Sequence, residues 1–224
     1  MPETIGLNGI ILSSQPVGEY DRRVVILTKE RGKIACFAKG ARRPTNHLAG
    51  LTRVFSFGTF FVYEGHTSYS IHNADIKNYF EEVLKDYEAT LYACYFCELA
   101  DYYGREGLEA KDAINLLYMS ISALTDDRLI RTLTRYIYEI RVVSDAGECP
   151  PLDELFADPT GSFSENTINA FNYIVTAPTE SLFKFTVSDG TIKQLGNISG
   201  KIIEYAIDKR LNSKDMLPDD IEVK

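Results

Sequence analysis

An α+β fold, with a small all-β head followed by an α-helical body, is predicted by three observations. Alternating β-forming residues fill the N-terminal third, apolar spacing changes to three and four residues after about residue 79, and the charge reverses sign between the two parts. The head is expected over residues 1–78 and the helical domain over 79–224, with a turn-rich segment near 147–163. At 224 residues and 45% hydrophobic content, the chain can bury a core without covalent staples.

Five strand-like runs build the head: "IGLNGIILSS", "RRVVILTKE", "GKIACFAKG", "RVFSFGTFFVYEG" and "TSYSIHNADI", separated by Gly, Pro, Asn and charged turns. Between the third and fourth, "PTNHLAGL" has room for a turn or two of helix. Five strands with a short helical connection at that place match an OB-type barrel; an SH3-like barrel is the structural alternative.

The body begins with "YFEEVLKDYEATLYACYFCELADYY", read as one long helix. Its Phe80, Val83, Leu84, Tyr87, Leu91, Cys94 and Tyr95 form one apolar stripe. Gly104 and Gly107 punctuate it, and "AKDAINLLYMSISALT" supplies a second helix. "DRLIRTLTRYIYEIRVVSDAG" supplies a third, with Asp126 or Asp127 near its start as cap or dipole partner and Gly147 near its end. Residues 147–178 contain no Lys or Arg and open with "GECPPLDELFADPTGSFS", an exposed connection. Further helices are expected in "SENTINAFNYIVTA" and "KQLGNISGKIIEYAIDKRLN", before a frayed tail.

Enzyme motifs are missing: there is no phosphate loop, nucleophile elbow or HExxH pair. The chain is expected not to be an enzyme and to need no cofactor. Acidic pairs such as Glu81 with Glu82, or Asp219 with Asp220, are explained by solvation. His47, His66 and His72 all lie in the head, and His66 and His72 can approach across a hairpin, yet a zinc site needs further ligands. Cys36, Cys94, Cys97 and Cys149 are read as reduced thiols, and the CxxC of Cys94 and Cys97 as small buried helix residues. No apolar run approaches the roughly 20 residues that cross a bilayer, and the N-terminus lacks a basic start and cleavage site. The expected compartment is the cytoplasm, without a membrane partner.

The charge distribution is the informative feature. The first 80 residues carry ten Lys and Arg against six Asp and Glu, whereas the rest carries 14 against 26, within an overall charge of −8. Such asymmetry points to a head that binds polyanions on an acidic body, with a solvated loop face as the competing explanation. In the third strand, Lys33, Ala35, Phe37 and Lys39 share one face by the two-residue period, and Ile34, Cys36 and Ala38 make the interior face. Lys29 and Arg31 stand in the preceding turn, and "KGARRP" extends the positive strip with Arg42 and Arg43. Cations hold a phosphate backbone, while an exposed aromatic such as Phe37 can stack bases. The alternative is a barrel that binds a peptide or acidic protein surface with little DNA affinity.

The segment "GIILSSQPVGEYDRRVVILTKERGKIACFAKGARRPTNHLAGLTRVFSFGTFFVYEG" resembles the RecO family of bacterial DNA-repair and recombination mediators. The acidic "GEYDR" turn, the "T.E.GK" turn, "KGARRP", "LAGL" and an aromatic strand follow in the family's order. "RYIYEIRVVSDAGECPPL" is similar to the family's helix before its glycine- and proline-containing turn. This resemblance implies an N-terminal OB-fold and a helical domain that bind single- and double-stranded DNA and anneal complementary strands. It also implies that, with RecR, such a protein helps load RecA onto DNA covered by single-strand-binding protein (SSB). Carried onto this sequence, DNA binding falls on Arg22, Arg23, Lys29, Arg31, Lys33, Lys39, Arg42, Arg43 and Arg53. Many members carry a four-cysteine zinc module after the helix-ending turn; only Cys149 stands there in this chain, so zinc is not carried over. The resemblance further implies a basic groove for the acidic C-terminal tail of SSB. Arg128, Arg131 and Arg135, on one helical stripe, are the candidates for it, and ordinary salt bridges within the body compete for them.

Overall fold

The first five elements are the strands β1 (Thr4–Val17), β2 (Asp21–Thr28), β3 (Gly32–Ala38), β4 (Phe57–Glu64) and β5 (Tyr69–Asn78), with the single-turn helix α1 (Leu48–Leu51) between β3 and β4. This computed structural model describes residues 4–65 and 68–218. The strands close into a barrel in the order β1-β2-β3-β5-β4. All pairs are antiparallel except β3 with β5, where Cys36 faces Tyr69 and Phe37 faces Ser70 in parallel register. That order, with α1 bridging the third and fourth strands, is the OB-fold and excludes the SH3-like alternative.

Alternation drives the closure. Ile34, Cys36 and Ala38 of β3 point inward with Val24 and Ile26 of β2, Leu7 and Ile11 of β1, Phe60 and Val62 of β4, and Ile71 of β5, forming one buried cluster. Each fully buried aliphatic or aromatic side chain contributes roughly 1.5–3 kcal/mol. The long β1 serves two neighbours because it bends, with a register shift between Ile11 and Ser13. Where β1 meets β4, Gly9 faces Gly58. A Cβ on Gly9 would lie 2.3 Å from the Leu27 carbonyl oxygen, and one on Gly58 would lie 2.1 Å from that of Asp75. The tight wall at this corner therefore requires both glycines.

The remaining helices are α2 (Glu81–Lys85), α3 (Tyr87–Tyr103), α4 (Lys111–Ala123), α5 (Arg131–Asp145), α6 (Leu152–Leu155), α7 (Pro159–Ser162), α8 (Glu165–Thr176) and α9 (Asp189–Ala206). Three expectations need correction. The single long helix over 79–103 is broken at Asp86, whose Oδ1 accepts the Ala89 N–H at 3.0 Å and so caps a new helix. Neither Asp126 nor Asp127 caps α5. The capping position is Ile130, without a side-chain bond, while Asp126 grips Arg128 through Nε at 2.9 Å and Nη2 at 2.6 Å. The helix α9 also begins earlier than expected, because the Ser188 hydroxyl caps it by accepting the Thr191 N–H at 3.3 Å. A short 3-10 turn, Lys214–Met216, follows in the tail, while Asp219 and Asp220 lie outside the described residues, as does His66.

The chain divides into two compact units. One comprises Met1–Lys85 with Cys97–Tyr118, and the other Asp86–Phe96 with Met119–Lys224. In the second, α5 is the central helix, buried along most of its length against α8 and α9. Among the described residues, no helix is long and apolar enough to cross a membrane.

Candidate nucleic-acid interface

The loop after β3 is fastened to the turn after β1. The Asp21 carboxylate accepts the Gly40 N–H at 2.7 Å, and the Tyr20 carbonyl accepts the Arg42 N–H at 2.9 Å. Ala41 is fully buried as an anchor. Asn46 closes the loop, donating to the Lys39 carbonyl at 3.1 Å and accepting the Leu48 N–H at 2.9 Å. Between these fixed points the side chains of Lys39, Arg42 and Arg43 stand exposed.

Their partners are neutral. Arg42 donates to the Gly18 carbonyl at 3.0 Å, and the Arg43 guanidinium lies 4.4 Å over the Tyr20 ring. Neighbouring cations are similar: Arg23 is exposed and directly opposite the half-buried Phe37, Arg22 donates to the Ser14 hydroxyl at 3.2 Å, and Arg53 lies 5.7 Å over the Tyr79 ring. Among the described residues, none of these six forms an ion pair, and neither does Lys29. A cavity of about 460 Å³ opens here, lined by Glu19, Tyr20, Asp21, Lys39, Gly40, Arg43 and Asn46.

The opposite end of the β2–β3 hairpin differs. Its turn is covered by the segment after α3. The Lys33 N–H donates to the Arg105 carbonyl at 3.1 Å, while the Gly107 and Ala110 N–H groups donate to the carbonyls of Arg31 and Lys29 at 2.9 and 3.0 Å. Gly32, at φ 63°, lies so close that a Cβ there would sit 2.0 Å from the Arg105 carbonyl oxygen. The glycine of the "T.E.GK" turn is thus required twice, by its left-handed backbone and by this contact. Lys33 is neutralised by Asp101 at 3.3 Å and also donates to that residue's carbonyl. Arg31 pairs with Glu64 at 3.6 Å. The continuous strip expected along β3 is therefore interrupted: its cations are partnered by carboxylates at one end and left uncancelled at the other.

The three arginines of the body do not share one stripe. Arg128 precedes α5 and is held by Asp126, although its side chain remains 86% exposed. Arg131 forks between Asp86 and Glu88, at 2.5 and 3.2 Å. Arg135 is buried, 3.6 Å from Glu139 and 4.7 Å over the Tyr136 ring. Glu139, 1% exposed, also accepts the Tyr95 hydroxyl at 2.7 Å and the Ser199 hydroxyl. Burial, followed by that carboxylate, pushes the Tyr95 phenol well above its ordinary range.

Other candidate chemistry stays local. His47 Nε2 lies 3.2 Å from the His72 carbonyl, and no group of three potential metal ligands occurs among the described residues. The four cysteines form no disulfide. Burial pushes the Cys36 thiol up to about 12, which leaves it unreactive. Residue type singles out the cations but not Tyr20, Asp21 and Asn46, which shape the cavity. The acidic "GEYDR" turn contained the signal, because a carboxylate beside a glycine-containing basic loop is suited to bind that loop's N–H groups.

A closed β1-β2-β3-β5-β4 barrel with a short helix between its third and fourth strands defines an OB-fold protein. Family models refine this: "Recombination protein O N terminal" matches residues 1–80 and "Recombination protein O C terminal" matches residues 84–157. The chain belongs to the RecO family of DNA repair proteins. It is 27% identical to DNA repair protein RecO of Acetivibrio thermocellus, over 94% of each chain. It is 30% identical to the protein of that name from Alkaliphilus metalliredigens, over 66% of this chain and 60% of the relative. With that of Desulforudis audaxviator it shares 32% identity, over 64% and 57%.

Proposed function

We propose that this chain binds single- and double-stranded DNA through the mouth of its barrel and anneals complementary strands without covalent catalysis. The observation that carries this reading is the set of uncancelled cations, Lys39, Arg42 and Arg43, on a loop fixed by Asp21 and Asn46, in a chain of net charge −8. A polyelectrolyte backbone is the ligand that rewards such a cluster, because each neutralised phosphate releases condensed counterions. Bringing two strands to one positive surface lowers their mutual repulsion and raises their local concentration, which is what annealing requires. Arg22, Arg23, Lys29 and Arg53 extend the contact, and Phe37 lies beside Arg23. Lys33 and Arg31 serve mainly to hold the fold.

As a cytoplasmic mediator, the protein would act with RecR to help load RecA onto SSB-covered single strands. Arg128 and Arg131 are the candidates for docking the acidic SSB tail, with Arg135 as the internal countercharge of Glu139. Fluorescence anisotropy of labelled single-stranded and duplex DNA over a salt series tests the DNA reading. Affinity should fall linearly on log axes as salt rises. Absence of salt-dependent binding to either form would favour a barrel that binds proteins instead.

A further inference from the structure

The mouth that carries the uncancelled cations also presents an aromatic ring. Tyr20 stands in the turn between β1 and β2 and is 42% exposed. It is held at two points. Its carbonyl accepts the Arg42 N–H, and Arg43 lies over its ring; the neighbouring Glu19 raises the pKa of its phenol. A ring fixed in this way loses little further freedom when a ligand stacks on it. It also forms part of the wall of the 460 Å³ cavity, within the roughly 300–1,000 Å³ range of clefts that enclose small organic groups.

The composition of that wall selects the ligand. Lys39 and Arg43 line the cavity together with Glu19 and Asp21, and one oxygen of the Asp21 carboxylate is already taken by the Gly40 N–H. The wall thus pairs an exposed aromatic ring with both cations and carboxylates. A nucleotide joins a planar, uncharged base with N–H donors, suited to the ring and the carboxylates, to a phosphate suited to the cations. We propose that Tyr20, together with Arg43, is a nucleobase platform that stacks one unpaired base of a single strand; this rests on the DNA-binding reading above. A base within a duplex is already stacked and paired, so it presents no face to the ring. Duplex is held by the same cations without the platform, and Tyr20 becomes the residue by which the site distinguishes unpaired from paired strands.

The full chain and its Tyr20→Leu and Tyr20→Phe variants are compared on three labelled ligands. These are oligothymidylate, an abasic oligonucleotide of equal length, and a duplex. Stacking on an aromatic side chain amounts to about 5- to 150-fold in affinity per base. Tyr20→Leu should therefore weaken oligothymidylate binding by about fivefold or more while moving abasic and duplex binding by less than about twofold, and Tyr20→Phe should retain the native preference. Equal weakening on all three ligands would show that the ring only braces the loop, and no change on any would show that it does nothing; either result overturns the platform. If the native chain itself shows no salt-dependent binding to any ligand, the DNA reading fails and the platform falls with it. Native salt-dependent binding with an indifferent Tyr20 sinks the platform alone.

Discussion

Neutralising the cations at the two ends of the β2–β3 hairpin should have opposite consequences. Among the described residues, Arg42 and Arg43 have only a carbonyl and an aromatic ring as side-chain partners, so the double change Arg42→Gln with Arg43→Gln removes two charges available to phosphates. The slope of log affinity against log salt should flatten by about 1.8 on duplex and about 1.4 on single strands. Between about 50 and 200 mM salt, the native chain then loses duplex affinity about 12-fold more steeply than the variant. The folding cost is small, at most about 1 kcal/mol for each lost contact. Lys33→Gln removes a charge that Asp101 already cancels, so the slope should stay within about 0.3 of native. Anisotropy titrations of the three proteins at several salt concentrations read both values. A Lys33 variant that flattens the slope as strongly as the double variant, or a double variant with the native slope, would refute the division of the hairpin into cancelled and uncancelled ends.

Removing the carboxylate of Glu139 as Glu139→Ala leaves Arg135 buried beside unsatisfied hydroxyls of Tyr95 and Ser199. Denaturant unfolding should show a loss of about 3–5 kcal/mol, and a loss under about 1 kcal/mol would contradict the buried network. Gly58→Ala drives a methyl group into the Asp75 carbonyl; a cost of about 1–3 kcal/mol or more is expected, visible as a lower melting temperature. Asp86 is held below its ordinary value of 3.8, first by the Ala89 N–H and then by Arg131. A lowered folded pKa stabilises above the unfolded value and stops doing so as pH falls through the folded one. The stability gap between the native chain and Asp86→Asn should therefore be full at neutral pH and close progressively below about pH 4; a gap independent of pH would refute the cap and pairing.

The barrel was legible because its information is local. The two-residue period of β3 places Ile34, Cys36 and Ala38 inside without knowledge of any neighbour. The closing pair of β3 with β5 was not legible in that way, since it joins strands separated by α1 and β4 and leaves no periodic trace. The break at Asp86 was hidden by an apolar stripe that runs on through it, although an aspartate three residues before Ala89 is itself a capping signal. The candidate site was half legible. Its cations could be read from composition, but whether each is cancelled depends on residues distant in the chain, and Lys33 meets Asp101 across a separation of 68 residues. Arg128 shows the complementary error, because helical spacing was counted through a segment that is not yet helix.

The strap formed by residues 105–110 bears on how the head can be isolated. Its carbonyl and N–H groups complete the β2–β3 hairpin, and Gly104 packs against Leu27 and Lys33. A gene fragment ending at residue 80, where the N-terminal family match stops, encodes every strand of the barrel but omits its lid. Such a fragment would display the Leu27 edge and three unmet backbone groups to solvent, inviting self-association. The unit that contains the barrel also includes Cys97–Tyr118, so a cut at residue 80 removes part of it.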